Sequence, residues 1–540
     1  MDPAQAEAQF QQAVAAYRGG DFPGAARLCE ELLAFDPEHP AVLQLAGATA
    51  LRQGRTDDAV QLFTAAVAAK PDDAGAQVNL GAALKAAHRL TEAAAAYREA
   101  TVLAPENATA WYDLGNALQA LGNDGEAADS YRRVLSLKPE HEHAAFNLGV
   151  LLLARDEPTE AAQLLAQVAR QHPNSAAAQA RLGFALRRAG NTEAAIDALR
   201  RALALDANDV DAMAMLATTL GEQGGDGLDQ AAGLYRRALA LAPARAEIWS
   251  NLAWTLAEIG QLDAALNAAN EATRRDPELP AGHYHLGLIQ QRRNALAEAE
   301  AALRQAIALN PRYVRAYSTL ALVLESQGRH GDVAAIADPA RVVQGFALDE
   351  LIDVSDVDAF NRELVAFIHR TPTLMAERPN RATTGGAQTL DLAQDQAAVV
   401  QTFRDGVNQA VKRYLAARRE AGPDGYFQTA PEHWELSIWA VVLASGGYQA
   451  PHNHPTGFIS GVYYPKVPSV VGTRGEDGYI EFGPSNVTGP DGRQLASGLR
   501  MTARPQEGRM FLFPSYLWHR TIPCTSDEER ISVAFDVLWR

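Results

Sequence analysis

A period of 34 residues runs through about the first 330 positions of the chain and leaves few folds open to them. Leu-Gly or Leu-Ala recurs at Leu80-Gly81, Leu114-Gly115, Leu148-Gly149, Leu182-Gly183, Leu216-Ala217, Leu252-Ala253, Leu286-Gly287 and Leu320-Ala321, with Ala46-Gly47 as an earlier member. Proline closes the period at Pro37, Pro71, Pro105, Pro139, Pro173, Pro243, Pro277 and Pro311, and Ala207 interrupts the series. One repeat, between Asp211 and Ala246, is longer because it contains Gly224-Gly225-Asp226-Gly227. A unit of this size cannot bury its apolar face alone, so neighbours must stack into a continuous core.

Within a unit the apolar positions describe two helices. Between Gly75 and Ala108, Val78, Leu80, Ala83 and Leu84 fall on one helical face, and Ala93, Ala95, Tyr97 and Ala100 on another. Small residues at Gly81 and Ala93 allow close approach, and the proline stops the second helix. The pattern closely resembles the tetratricopeptide repeat, over nine or ten units from about Glu7 to Gln327. The resemblance implies an all-α, right-handed solenoid whose concave face binds a protein or peptide; a spacer or an oligomerisation surface is the alternative. Polar residues recur two positions before the small residue, at Asn79, Asp113, Asn147, Arg181, Asn251 and His285, with Met215 and Thr319 interrupting. They are read either as a ladder for a substrate backbone or as a solvated inner face.

The full chain of 540 residues is too long for one core, so two or more domains are expected. A net charge of -17 without a basic stripe disfavours nucleic acid. No apolar run reaches the roughly 18 residues of a membrane helix. Met1-Asp2-Pro3-Ala4-Gln5 has no basic stretch before an apolar core, so no secretory signal is expected. Cys29 and Cys524 lie far apart without CxxC spacing, which argues against disulfides and thiolate metal sites and favours a reducing cytoplasm.

The repeat pattern decays after Gly328, giving a solenoid at 1–335, a linker at 336–350 and a second domain at 351–540. That domain is expected to hold helices at Val357 to Phe367 and Ala397 to Arg419 around a turn-rich stretch, Thr384-Gly385-Gly386-Ala387-Gln388-Thr389. From His433 the period becomes two, with Trp434, Leu436, Ile438 and Ala440 alternating, and strands follow at Gly457 to Tyr464, Tyr479 to Phe482, Met510 to Phe513 and Arg530 to Leu538. Short strands separated by Gly and Pro turns and covered by helices predict a double-stranded β-helix, the jelly-roll barrel.

His452 and His454, at i and i+2 on an extended segment, point to one side and can share an ion, with His519 closing the site across the barrel. Imidazole suits iron, copper, nickel and zinc. The alternative is a pair of loop histidines beside Pro451 and Pro455. The run from Pro451 through His452-Asn453-His454 to Ser460-Gly461-Val462-Tyr463-Tyr464 resembles the signature of a 2-oxoglutarate/Fe(II) oxygenase family. Gly508 to His519, followed by Glu529-Arg530-Ile531-Ser532, resembles its second signature, and the likeness spans about Phe346 to Arg540. It implies His452 and His519 as iron ligands and Arg530 gripping the distal carboxylate of 2-oxoglutarate in fork geometry. Ser532 would add a hydroxyl. Tyr464 would add a phenol, or serve as a core aromatic.

His454 stands where most such enzymes carry Asp or Glu. Either it coordinates, giving a three-histidine site, or it swings out and water takes its place; Glu481 is a remote substitute carboxylate. The resemblance implies Fe(II), 2-oxoglutarate and O2, with ascorbate as a further reductant, and hydroxylation of a protein or peptide side chain delivered by the solenoid. Two other classes stay open: a non-catalytic repeat scaffold, and a three-histidine metalloenzyme that does not use 2-oxoglutarate and so needs no fork at Arg530.

Overall fold

The computed structural model describes residues 2–155, 157–376, 382–421, 425–473, 475–483 and 499–539. Met1 and Arg540, the outer limits of the expected domains, lie outside them. The chain divides into two units, Met1–Leu220 and Gly221–Arg540. No helix among the described residues is long and apolar enough to cross a membrane.

The first unit is built of antiparallel helix pairs, and its Leu-Gly mark has a steric cause. In the pair Ala74–Ala86 and Leu90–Leu103, a Cβ at Gly81 would lie 2.7 Å from the ring of Tyr97. In the pair Ala176–Arg188 and Thr192–Leu205, a Cβ at Gly183 would lie 2.5 Å from Leu199. The glycine is the space into which the second helix inserts a large side chain, Tyr97 in one pair and Leu199 in the other. Asp73 caps the first of these helices by accepting from the backbone N–H groups of Gly75 and Ala76. Two amides of the polar ladder bond to the preceding repeat: Asn79 Nδ2 donates to Gln44 Oε1 at 3.0 Å, and Asn147 Nδ2 to Asn116 Oδ1 at 3.2 Å.

In the second unit the repeats continue to His330–Ala337 and share one apolar core with the sheet domain. Tyr317, on the helix Val314–Ser326, stacks on Tyr516 with centroids 5.3 Å apart and meets the edge of Tyr426 at 5.0 Å. Tyr516 Oη donates to the Ile336 carbonyl at 2.7 Å, and Tyr426 Oη to that of Phe458 at 2.7 Å. Buried phenols with satisfied hydroxyls combine a large apolar area with directional contacts.

The sheet domain has ten strands among the described residues: β1 Gln344–Ala347, β2 Met375–Ala376, β3 Thr383–Gln388, β4 Trp434–Gln449, β5 Ile459–Lys466, β6 Ile480–Phe482, β7 Met501–Ala503, β8 Arg509–Pro514, β9 His519–Thr521 and β10 Arg530–Trp539. One antiparallel sheet runs β1-β8-β5-β10-β4-β3-β2 and a smaller one β7-β6-β9, which is the expected double-stranded β-helix. The helices Val357–Arg370 and Ala398–Glu420 cover the large sheet: Asn361 Oδ1 accepts from Tyr463 Oη at 2.5 Å, and the ring of Phe403 packs on Tyr463 and Phe535. β10 therefore alternates, with Ile531, Val533, Phe535 and Val537 in the core and Arg530, Ser532, Ala534, Asp536 and Leu538 lining a cavity.

Two segments differ from expectation. The stretch 336–350, read as a linker, contains β1, which pairs with β8 in the register Gln344 with Leu512 and Ala347 with Arg509. Four residues are too short to show a period of two. The turn-rich Thr384 to Thr389 forms most of β3, where a Cβ at Gly386 would lie 2.5 Å from the Val442 carbonyl oxygen. Its glycines serve close backbone approach.

His285 is buried in the helix Pro280–Arg292, with Nδ1 2.8 Å from Ser250 Oγ, and burial, aided by Arg315, pushes its pKa down to about 4. The unfolded chain, titrating near 6.5, then binds the proton first. This contribution to stability is complete above about pH 6.5 and is lost as pH falls towards about 4. Urea unfolding of the metal-free chain followed by tryptophan fluorescence will show falling stability across that window, with a shallower slope in His285→Gln.

Candidate metal centre

The site is assembled where the two sheets meet. His452 and His519 exchange both main-chain hydrogen bonds, His452 N–H to the His519 carbonyl at 3.0 Å and the reverse at 2.9 Å, forming a bridge outside the regular ladders. The His454 N–H donates to the Ser515 carbonyl at 2.9 Å. These contacts bring the rings together, with centroids 4.3 Å apart for His452 and His519, 5.2 Å for His452 and His454, and 5.1 Å for His454 and His519. One ligand atom from each histidine lies within 4.8 Å of the other two.

Every imidazole is oriented by an acceptor at Nδ1. His452 Nδ1 lies 2.8 Å from the Ala450 carbonyl oxygen and His519 Nδ1 3.1 Å from that of Leu517. His454 Nδ1 lies 2.7 and 2.9 Å from the two carboxylate oxygens of Asp536. Carbonyls and carboxylates only accept, so Nδ1 carries a proton in each ring and Nε2 is the atom left to face a metal. Burial, then His454, pushes the His452 pKa down to about 4 against the opposing Ala450 carbonyl and Asp536. Burial, then His452 and His454, holds His519 well below the usual histidine value. At neutral pH these two rings offer lone pairs without competition from protons.

Around the histidines lies a cavity of about 600 Å³ between the sheets. Arg530, Ser532 and Tyr464 line it and are buried. Arg530 Nη1 donates to the Gly478 carbonyl at 2.6 Å, its guanidinium lies 5.2 Å from the centre of the Tyr464 ring, and its Nη2 donates to Tyr464 Oη at 3.4 Å. Its Nε is buried with no partner among the described residues, and no described carboxylate pairs with it. Burial raises the Tyr464 phenol pKa against the opposing charge of Arg530.

All six residues singled out in the sequence thus line one cavity. Glu481 does not join them as a ligand, because its carboxylate is held by Arg500 and Arg520. Sequence reasoning missed Asp536, Ser460 and Trp439. Ser460 Oγ donates to Asp536 Oδ1 at 2.6 Å, and Trp439 stacks on His454 at 5.5 Å. A signal for Asp536 existed: it stands four residues beyond Ser532 on the same strand face, a lone acid in an otherwise apolar run.

The family described as "Putative 2OG-Fe(II) oxygenase" matches residues 437–536, which include the whole site. Models described as "Tetratricopeptide repeat" match 16–84, 176–219, 228–287 and 284–338, and one described as the middle TPR-like domain of cilia and flagella-associated protein 70 matches 78–183. The chain is a tetratricopeptide-repeat protein with an oxygenase-family domain at its C-terminal end. No curated protein matches it. Similar solved structures include MamA from Desulfovibrio magneticus RS-1, 24% identical with a TM-score of 0.29 over 32% of this chain and 95% of that one. Pseudomonas aeruginosa pilF is 18% identical with a TM-score of 0.34 over 39% and 97%. A tetratricopeptide repeat protein from Parabacteroides merdae is 16% identical with a TM-score of 0.32 over 46% and 98%.

If the three rings of the oxygenase-family domain hold one ion, His452→Ala and His519→Ala will each weaken Zn(II) binding by at least about tenfold. Glu481→Gln will leave it unchanged. Competition against a chromogenic chelator reads both.

Proposed function

We propose that the chain is a 2-oxoglutarate- and Fe(II)-dependent dioxygenase that hydroxylates a side chain of a protein or peptide bound by its repeats. The observation that carries this reading is Arg530. A buried guanidinium with an unpartnered Nε and no carboxylate against it is costly unless an anion completes it. The planar fork suits a carboxylate, and Ser532, on the same face of β10, offers a further hydroxyl. The alternative three-histidine enzyme without 2-oxoglutarate gives this arginine no task.

The donor set fits a divalent ion of intermediate softness: three imidazoles with Nδ1 already engaged. His452, His454 and His519 would hold it, with His454 oriented by Asp536 rather than replaced by water. Fe(II) with 2-oxoglutarate and O2, when bound, supplies the chemistry by which one oxygen atom enters a C–H bond and the other enters succinate, with CO2 released. Ascorbate would keep the metal reduced. The chain's own residues orient the components. Arg530, Ser532 and Tyr464 fix the distal end of the dicarboxylate, the apolar walls Val462, Ile480 and Phe513 exclude water, and Trp439 steadies His454. The repeats, whose fold serves protein-protein interaction, would supply the macromolecular substrate. The setting read for the chain is cytoplasmic.

With Fe(II), 2-oxoglutarate and O2, the full chain will form succinate, and His519→Ala will form none. Arg530→Ala will raise the 2-oxoglutarate concentration needed for half-maximal turnover by about a hundredfold, as expected when one partner of a charged hydrogen-bonded pair is removed. Succinate from His519→Ala at the wild-type rate would overturn the reading.

A further inference from the structure

Asp536 is a second buried charge of the cavity, and the ligand set above gives it no direct role. Its carboxylate accepts the Nδ1 proton of His454 with both oxygens, at 2.7 and 2.9 Å. Ser460 Oγ donates to Oδ1 at 2.6 Å and is itself 2.8 Å from Ser515 Oγ, so the carboxylate is fixed from behind. Gly457 makes room for the cluster: a Cβ there would lie 2.6 Å from Ser515 Oγ and 3.2 Å from Asp536 Cγ. Ser460, Ser515 and Asp536 come from β5, the turn after β8, and β10, so three segments meet around the carboxylate that holds one imidazole. His452 and His519 receive only backbone carbonyls at Nδ1. His454 alone receives a charge.

We propose that Asp536 is the positioning residue of the third ligand and that, through the His454 imidazole, it supplies the negative charge a carboxylate ligand would have placed on the metal directly. Three neutral histidines alone would leave the site one charge more positive than two histidines and a carboxylate. Asp536 restores that balance one residue back. A hydrogen-bonded carboxylate also makes the imidazole a stronger donor and fixes its tautomer. The proposal rests on the metal-centre reading above and goes beyond it by assigning an unequal role to the three histidines.

The test uses the metal-free full chain titrated with Co(II) and followed by its visible ligand-field bands. Asp536→Asn keeps an acceptor for Nδ1 but removes the charge, and Asp536→Ala removes both. Affinity is expected to fall about tenfold in the first and about a hundredfold in the second, with the bands displaced in both. In a His454→Ala background, Asp536→Asn is expected to cost nothing further, since its effect passes through the missing ring. Unchanged affinity and bands in Asp536→Asn, or an equal further loss in the His454→Ala background, overturns the proposal. Failure of the wild-type chain to bind Co(II) overturns the metal-centre reading itself and is recognised as such. If the Asp536 variants do not fold, long-range proton-nitrogen NMR of histidine-labelled wild-type protein with Zn(II) decides: Nδ1–H on His454 supports the proposal, and Nε2–H overturns it.

Discussion

The reciprocal main-chain pair between His452 and His519 is the constraint from which the site follows. It is a single bridge outside the regular ladders, yet it joins the segment after β4 to β9 and fixes two imidazoles about 4.3 Å apart. His454, two residues along, is carried to the same side by the extended backbone. With these backbones paired, the three rings line the cavity that Arg530 and Ser532 also line. The histidine cluster and the buried Arg530 are therefore consequences of one strand arrangement, in which β10 contributes a cavity residue at every second position.

The same economy holds in the repeats. Each Leu-Gly mark is the space for a tyrosine or leucine from the second helix, so the repeated glycine and the repeated large residue are two halves of one contact. In the second unit the last repeats end against the sheet domain through Tyr317, Tyr426 and Tyr516, all within one apolar core.

Much of this was legible in the sequence, for identifiable reasons. The 34-residue period and the switch to a period of two announce solenoid and barrel because both periodicities are long enough to be seen. The strands at Arg530–Trp539 and Ile459–Lys466 fall within two residues of the positions expected for them. Gln344–Ala347 was hidden because a four-residue strand carries no periodicity, and Thr383–Gln388 because its glycines signal a turn until their partner strand is known. At the site, His452, His454, His519 and Arg530 were visible through spacing. Asp536 carried only its place on the face of Arg530 and Ser532, since its partner His454 is 82 residues away and only the fold brings the two together.

The most direct measurement is an anaerobic titration of the Fe(II)-loaded full chain with 2-oxoglutarate, followed in the visible range. A charge-transfer band is expected that saturates at one equivalent of 2-oxoglutarate per chain and is lost at the same concentrations in Arg530→Ala. Fe(II) bound by the wild-type chain with no band at saturating 2-oxoglutarate would contradict it.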